Sequence, residues 1–368
     1  MKKLLGRRSR FYLLSFLKYD LKASITVFFV AIPLCLGISQ ASGAPVYSGL
    51  MAGIIGGLIV GVISRSQLSV SGPAAGLTAI CAAAIHDMGS LQVFFLAVSI
   101  AGILQFLLGL FRLGGFTHFI PSSVIKGMLA AIGVILISKQ IPALIGYDKP
   151  EFWSNELFNI ITLDHVFSNV KSLYVHSSLG AALVAGLSLL FLVTWKKKLS
   201  QHVTFIPASF ATVLFAVLIT WLLPMLSPSL QLRPGQFVSI PSNIFSGIKA
   251  PDLHAVWHTT AVWKTAVVIC LVATLESLLS IEAIDKLDPY NRITPQNLEL
   301  MAQGAGNFCS GLAGGLPITA VIVRSSANAE AGARTKSSAI LHGAWILLVV
   351  LFAVPLINHI PYCVLAVI

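Results

Sequence analysis

The chain contains few charged residues. Only 10% of its 368 residues are Asp, Glu, Lys or Arg, whereas a soluble domain carries about 25%. Hydrophobic residues make up 56% of the chain, and the mean hydropathy is +0.88. A chain this poor in charge has too few polar side chains to cover a folded surface in water. The composition therefore excludes an ordinary soluble domain and predicts a protein surrounded by a lipid bilayer.

Residue patterns that support catalysis or metal binding are equally scarce. The five cysteines are scattered through apolar stretches without a Cys-x-x-Cys pair, which indicates small buried side chains. His254 and His258 have a spacing that suits Zn²⁺, but no third ligand is evident. No nucleophile elbow or phosphate loop is present. We therefore predict a protein that is not an enzyme, with no cofactor and no bound metal other than Na⁺.

The net charge of +11 does not indicate a nucleic-acid partner, because the chain has no basic face with interleaved aromatic residues. The basic residues gather instead beside apolar stretches, at Lys2, Lys3, Arg7, Arg8, Arg10, Lys18, Lys22, Lys196, Lys197 and Lys198. Such clusters are typical of cytoplasmic loops. The sequence therefore predicts a cytoplasmic N-terminal segment of residues 1–21 and a transmembrane transport domain of residues 22–368.

The apolar stretches predict about 12 membrane segments. Crossing a bilayer takes roughly 20 residues, and nine stretches are close to that length: 22–40, 46–64, 91–112, 122–142, 178–195, 206–223, 262–284, 296–312 and 338–357. Another segment begins at Pro361. The stretches 74–85 and 319–329 are too short to cross alone. Each follows a Gly/Pro break, and paired interrupted segments of this kind indicate an inverted-repeat transporter with its site at the breaks.

The starts of the two short helices offer a site for an anion. A helix N-terminus has unpaired N–H groups and a partial charge of about +0.5. Two such ends that face each other can therefore bind an anion without a full positive charge. We predict that this site is formed by the residues at the two breaks, namely Ser71, Gly72, Pro73, Ala74, Ala75, Gly76, Pro317, Thr319, Ala320 and Val321.

Arg324 lies within the second short helix, and we assign it to the same anion site. Its charge would raise the positive potential near the bound anion. Two other interpretations account for it equally well at this stage. The guanidinium could pair with a neighbouring residue, or it could extend to the inner membrane surface.

Glu276 lies near the middle of the stretch 262–284. A carboxylate at membrane depth is costly unless it is paired, hydrated or protonated, so it is a functional candidate as a proton carrier or a cation ligand. Ser280 lies four residues later on the same helix face, and two oxygen ligands at this spacing suit Na⁺. The alternative is that Glu276 forms a structural hydrogen bond between helices.

Several motifs resemble those of the SulP (sulfate permease) family of anion transporters. The run from Gln67 to Gly76 is similar to the third-segment signature of that family. Other matching runs are Ile32-Pro-Leu, Ala41-Ser-Gly-Ala-Pro-Val-Tyr47, Glu276-Ser-Leu-Leu-Ser280, Asn297-Leu-Glu-Leu-Met-Ala-Gln-Gly304, Gly314-Gly-Leu-Pro317, Arg324-Ser-Ser-Ala-Asn328 and Ala331-Gly-Ala-Arg-Thr335. Their order and spacing agree with the family over nearly the whole chain.

The resemblance implies an all-α polytopic membrane protein with a 7+7 inverted-repeat transporter fold and core and gate domains. About 12 segments would be present, including two half-helices, with a first repeat at about 22–224 and a second at about 262–368. It also implies that the anion lies between the third and tenth segments, that Pro33 and Leu34 of the first segment line the pocket, and that the acid at Glu276 serves the coupling cation.

The chain departs from the family pattern in two respects. It ends at the start of a twelfth segment, so we expect two segments and the C-terminal STAS domain to be absent from it. Leu34 stands where many members have Gln. The Ile-Pro-Leu form and the run from Ile281 to Pro289 resemble a bacterial subgroup, some of whose members are associated with carbonic anhydrase, which favours bicarbonate as the substrate.

The sequence thus predicts a secondary transporter of bicarbonate or sulfate. We expect Na⁺- or H⁺-coupled symport by an elevator-type mechanism, in a homodimer of the bacterial cytoplasmic membrane. One alternative is an anion exchanger or channel on the same fold, in which Glu276 is structural. Another is a nucleobase transporter of shared architecture, which the sequences at the breaks disfavour. A membrane-embedded enzyme is disfavoured because no cluster of His, Asp or Cys lies within the apolar segments.

Overall fold

The computed structural model describes residues 2–115, 122–147, 176–199, 206–240, 251–252 and 260–368. Within these residues, six helices are long and apolar enough to cross a membrane. The chain is accordingly an integral membrane protein. The histidine pair His254 and His258 lies outside the described residues.

The helices follow the predicted segments closely. The described helices are α1 (Lys2–Ala41), α2 (Val46–Ile63), α3 (Ala75–Met88), α4 (Leu91–Leu110), α5 (Ser122–Leu144), α6 (Leu179–Thr194), α7 (Ala208–Leu226), α8 (Thr260–Asp285), α9 (Gln296–Leu312), α10 (Ile322–Glu330), α11 (Ser337–Phe352), α12 (Val354–Ile357) and α13 (Tyr362–Val367). Helix α2 contains a π-helical stretch at Gly56–Val60, and α3 opens with the 3₁₀ turn Ala75–Leu77.

Two of the long segments differ most from the prediction. Helix α1 begins at Lys2 instead of near residue 22, because the first twenty residues are rich in Leu, Lys and Arg, which favour a helix. The predicted segment 338–357 is divided between α11 and α12. Pro355 explains the division, since proline has no N–H and its ring clashes with the carbonyl four residues earlier.

The two breaks form short extended strands, which the sequence analysis did not predict. Strand β1 (Ser71–Pro73) pairs antiparallel with strand β2 (Ile318–Ala320). Helix α3 follows β1, and helix α10 follows β2. The pairing therefore holds the starts of the two short helices at opposite ends of one three-residue ladder. Both helices are short, as the two half-helices of the predicted fold require.

Small residues allow the helices to approach closely. Helices α4 and α9 touch through their backbones at Gly102 and Gly304, where a Cβ on either glycine would lie 2.7 Å from the carbonyl oxygen of the other. Helices α2 and α11 meet in the same way at Gly57 and Gly343. Contacts between small residues are typical of helices packed in a membrane, where side-chain hydrophobicity does not drive association.

The chain divides into two compact units. One comprises the stretches up to Ile132 and from Pro241 to Ala353, and the other comprises Gly133–Ile240 and Val354–Ile368. The first unit contains α1–α4, α8–α11, both strands and every predicted site residue. In the second unit, α6 packs on α7 with the rings of Phe191 and Phe215 stacked at a centroid distance of 4.3 Å.

Candidate functional site

The paired strands hold the junction of the two half-helices. Gly72 lies opposite Thr319 in the strand register. Beyond one end of the strands, the N–H of Ala74 donates to the carbonyl of Pro317 at 3.1 Å, and beyond the other end the N–H of Val321 donates to Val70 at 3.1 Å. The strand pairing thus extends by one residue on each side and fixes both helix starts.

This pairing engages several of the predicted anion donors. Besides the amides of Ala74 and Val321, the N–H of Ala320 donates to the hydroxyl of Ser277 on α8 at 3.3 Å. The remaining unpaired N–H groups belong to the first turns of the helices, since those groups have no partner within a helix. For α10 these are the N–H groups of Ile322, Val323 and Arg324, and the first two residues are 41% and 60% exposed. Ile322 and Val323 are not among the predicted site residues, because the predicted helix begins three residues before the observed one.

Glu276 reaches the first half-helix from α8. Its Oε1 accepts a hydrogen bond from the N–H of Gly76 at 3.4 Å. A Cβ on Gly76 would lie 2.8 Å from Oε2, so this approach requires glycine. The predicted anion donor Gly76 and the predicted cation ligand Glu276 are therefore direct neighbours. Ala75, adjacent to Gly76, opens the 3₁₀ turn and is half-buried.

Two oxygens beside this contact have no hydrogen-bond partner in the described part of the chain. They are Oε2 of Glu276 and Oγ1 of Thr319, and both atoms are buried. Ser280 lies one turn further along α8 and is also buried. Oxygen atoms without partners suit a hard cation or a proton. The contact between Ser277 and β2 was not predicted, although Ser277 is adjacent to Glu276 in sequence.

Arg324 is completely buried, which rules out the interpretation that it extends to the membrane surface. Its Nη2 contacts Sγ of Cys35 at 3.3 Å, and its guanidinium packs against Gly72 of β1. Nε and Nη1 have no hydrogen-bond partner among the described residues. His342 of α11 is also buried, and neither of its ring nitrogens has a partner within those residues. The guanidinium of Arg324 therefore carries a positive charge that no described carboxylate neutralises.

Pro33 and Leu34 lie about two turns before the C-terminal end of α1. Pro33 is buried and Leu34 is half-buried. They precede Cys35, the residue that contacts Arg324. The first helix therefore contacts Arg324 of α10, and the lining of an anion pocket by Pro33 and Leu34 remains a prediction.

A second polar group lies on the α9 side of the strands and was not predicted. The amide of Asn307 clamps β2, because its Oδ1 accepts from the N–H of Ile318 at 2.6 Å and its Nδ2 donates to the carbonyl of Ile318 at 3.0 Å. Nδ2 also donates to Gln105 of α4 at 2.8 Å. The side chain of Gln303 donates to Ser71 of β1 at 2.8 Å. The sequence contains a signal for Gln303 and Asn307, because they lie four residues apart and therefore share one face of α9.

Several known proteins are similar to this chain in sequence. YvdB of Bacillus subtilis, whose name refers to sulfate transport, is 29% identical over 98% of this chain and 64% of its own length. The bicarbonate transporter BicA of Synechocystis is 27% identical over 95% of this chain and 59% of its own length. The chain thus spans about three fifths of the length of these curated relatives.

Two solved structures share the fold. The transmembrane domain of a cyanobacterial bicarbonate transporter BicA has a TM-score of 0.79 at 24% identity, over 95% of this chain and 86% of that chain. The structure of SLC26A9 has a TM-score of 0.78 at 16% identity, over 99% of this chain and 58% of that chain. These similarities confirm the all-α polytopic transporter fold.

The family assignment rests on a match that covers nearly the whole chain. The family model described as the sulfate permease family matches residues 17–368. The relatives named above are transporters, in agreement with the prediction that the chain is not an enzyme. The chain belongs to the sulfate permease family.

Proposed function

We propose that this protein is a secondary active transporter that carries a small inorganic anion together with Na⁺ or H⁺. The observation that carries the proposal is the contact between Glu276 and Gly76. It joins a carboxyl group to the start of a half-helix, the part of the fold that is suited to an anion. The two charges of a symporter would therefore bind side by side.

The anion would bind at the starts of α3 and α10. Both helix ends carry partial positive charge, and the N–H groups left without a bond at these starts would bind the anion. Arg324 adds a full positive charge, and no described carboxylate balances it. Because its guanidinium is buried behind Gly72, it acts through the local potential rather than by a direct contact with the anion.

The cation would bind at Glu276. Its Oε2, the hydroxyl of Thr319 and Ser280 supply oxygen ligands for Na⁺, and the carboxyl alone suffices for H⁺. Moving an anion inward against an inside-negative potential costs about 2.3 kcal/mol per charge per 100 mV. A cation carried in the same step offsets this cost, which is the physical reason to bind both ions together.

The relatives support bicarbonate or sulfate as the substrate, since BicA is a bicarbonate transporter and YvdB is named for sulfate. We further propose that the first unit moves as the core of an elevator-type transporter. A homodimer in the bacterial cytoplasmic membrane, with the N-terminus in the cytoplasm, fits this proposal. The positions of the basic residues favour that orientation.

The hydrogen bond from Gly76 also supports a second candidate. A carboxylate that stabilises a helix N-terminus can be purely structural. In that case the protein would be an anion exchanger or channel, with no coupling through Glu276.

Transport by the complete protein in proteoliposomes separates these candidates. Counterflow of labelled bicarbonate and sulfate identifies the anion, and uptake with and without Na⁺ and pH gradients identifies the coupling ion. We expect Glu276→Gln to abolish gradient-driven uptake while anion binding remains. The conservative variant Glu282→Gln, at an exposed position on the same helix, should behave like the wild type. Gradient-driven uptake at the wild-type rate in Glu276→Gln would favour the exchanger or channel.

A further inference from the structure

A second buried carboxyl lies on the other side of strand β1, and the proposed function does not use it. The side chain of Glu299 on α9 has no exposed surface. The hydroxyl of Ser64 donates to its Oε2, and Nε2 of Gln303 donates to its Oε1 at 2.9 Å. Both partners are neutral. Burying a carboxylate without a bonded cation is costly, and binding a proton removes that cost.

Charged groups act on Glu299 from two neighbouring elements. Asp285, at the end of α8, opposes a negative charge on Glu299, and Lys336, in the turn before α11, favours one. The amino group of Lys336 is held by two carbonyl oxygens at the end of α2, at 2.6 and 3.1 Å, and Arg65 lies near it. Helices α2 and α4 and strand β2 also pack against α9, and they contain no charged residue. Lys336 therefore does not neutralise Glu299 through a bonded ion pair.

Gln303 connects Glu299 to strand β1. Its Nε2 also donates to Oγ of Ser71 at 2.8 Å, while its Oε1 is buried without a hydrogen-bond partner in the described part of the chain. A carboxylate can only accept hydrogen bonds, so this amide orientation fits an ionised Glu299.

Protonation of Glu299 would change the orientation that the Gln303 amide prefers. The new O–H of Glu299 needs an acceptor, and a half-turn of the amide places Oε1 of Gln303 there. The same rotation turns Oε1 toward Ser71, whose hydroxyl then donates instead of accepting. The proton on Glu299 thus reverses the direction of the hydrogen bond at Ser71. Ser71 is paired with Ala320 in the two-stranded sheet that holds both half-helices.

We propose that Glu299 takes up a proton from water when the anion binds and returns it when the anion leaves, with Gln303 transmitting its protonation state to strand β1. The negative charge of Glu299 opposes an anion at the nearby half-helix starts, so proton uptake and anion binding favour each other. Glu299 is a positioning residue, because it acts through Gln303 and Ser71. The inference rests on the proposed function and adds a proton site distinct from Glu276.

Sulfate binding to the complete protein, measured by calorimetry across pH, tests the linkage. Sulfate is the suitable probe because it remains a dianion over the range used, whereas bicarbonate itself titrates. The comparison is made in a Glu276→Gln background to remove the other carboxyl. Uptake of one proton makes the Kd for sulfate rise by up to about tenfold per pH unit between the pKa of Glu299 without sulfate and its higher pKa with sulfate bound. We expect this dependence in Glu276→Gln and its loss in Glu276→Gln/Glu299→Gln.

Two further variants test the route through the amide. Gln303→Met keeps a similar volume without the hydrogen bonds, so it should remove most of the pH dependence. Gln105→Met is the matched control, because Gln105 is a buried glutamine on α4 that bonds α9 through Asn307 and does not contact Glu299. The control should keep the pH dependence, and an unchanged dependence in Gln303→Met would overturn the relay.

Infrared difference spectra between acidic and neutral pH give a second readout that needs no anion. The wild type should show a carboxylic-acid C=O band that is absent from Glu299→Gln. Identical spectra for the two proteins would overturn proton binding at Glu299, even if transport proceeds as proposed. Conversely, a protein that does not bind or transport sulfate but shows the Glu299 band would refute sulfate as the substrate and leave the proton site supported.

Discussion

At the scale of single residues, the junction of the half-helices concentrates buried polar atoms without partners among the described residues. They include atoms of Glu276, Thr319, Arg324 and His342. Proteins normally satisfy nearly all buried polar groups, because each unsatisfied group costs about 1–3 kcal/mol. A group of such atoms at one place supports the proposed ion sites. Small residues around these polar atoms leave room for an ion or water to contact them.

Gly76 provides the sharpest test at this scale. We expect Gly76→Ala to displace the carboxylate of Glu276, because the new Cβ would lie 2.8 Å from Oε2. Displacing the carboxylate should weaken binding of the coupling cation by at least about 1.4 kcal/mol, which corresponds to a factor of ten. Gradient-driven uptake should therefore fall by about tenfold or more, while anion counterflow continues. The measurement is the ratio of gradient-driven uptake to counterflow in proteoliposomes.

Gly186→Ala is the matched control for that experiment. Gly186 lies in α6, and a Cβ there would meet no atom within 4 Å. Its uptake ratio should equal that of the wild type. A wild-type ratio in folded Gly76→Ala would show that the position of the Glu276 carboxylate does not govern coupling.

At the scale of elements, the connection between α8 and α9 is held by an ion pair at the membrane edge. Arg292 binds Asp288 through Nε at 2.6 Å and Nη2 at 3.0 Å, and the side chain of Asp288 is only 4% exposed. Nη1 of Arg292 donates to the carbonyl of Arg334, which lies in the turn before α11. The pair therefore ties the α8–α9 connection to the end of the second half-helix.

The pH dependence of stability should report this pair. Burial alone would raise the pKa of Asp288, but the hydrogen bonds from Arg292 and from the N–H of Tyr290 outweigh it and lower the pKa below the ordinary value of 3.8. A lowered pKa stabilises the fold above pH 3.8, and this contribution is lost as the pH falls through the folded-state value. Asp288→Asn should reduce the free energy of unfolding at neutral pH by about 1.5–3 kcal/mol and flatten its acid dependence.

Thermal unfolding in detergent at a series of pH values measures this effect. Glu282→Gln is the control, because Glu282 and Lys286 form an ion pair whose side chains are 57% and 72% exposed. Exposed pairs contribute little, so the control should unfold like the wild type. Equal acid dependence in Asp288→Asn and the wild type would show that the pair does not stabilise this connection.

At the scale of the whole molecule, each compact unit combines helices from both halves of the sequence. This organisation suits an elevator-type mechanism, in which one unit carries the site as a body. The paired strands, the half-helices and α8 all belong to the first unit. The proposed ion sites would therefore move together without rearranging their own contacts.

Cysteine labelling tests the proposed orientation. The five native cysteines form no disulfide within the described residues, and four of them are buried, so they should react slowly with a membrane-impermeant maleimide. We expect Lys286→Cys to react only from the cytoplasmic side and Ser229→Cys only from the outside. Intact cells and inverted vesicles are compared. Labelling of Lys286→Cys in intact cells would reverse the orientation.

The sequence by itself determined the segments of this protein. Hydropathy and length decided most helices, because a bilayer requires long apolar stretches and leaves little choice of structure. Proline and glycine at 72–73 and 314–317 marked the two interruptions. Glu276 and Arg324 stood out because charges are rare in such a sequence. Their roles as ion-site residues remain proposals, since their positions alone do not establish what binds there.

Only the tertiary structure decided how these parts meet. The strand pairing engages the amides of Ala74 and Val321 through hydrogen bonds between residues about 250 positions apart, and Ser277 of α8 engages the amide of Ala320. Contacts between such distant residues leave no local pattern in the sequence. The burial of Arg324 and the network around Glu299 depend in the same way on distant segments. The spacing of apolar residues identifies the buried face of a helix, but it does not specify which atom of another element contacts that face. That atom depends on how closely distant helices approach each other, as at the contacts of Gly102 with Gly304 and of Gly57 with Gly343.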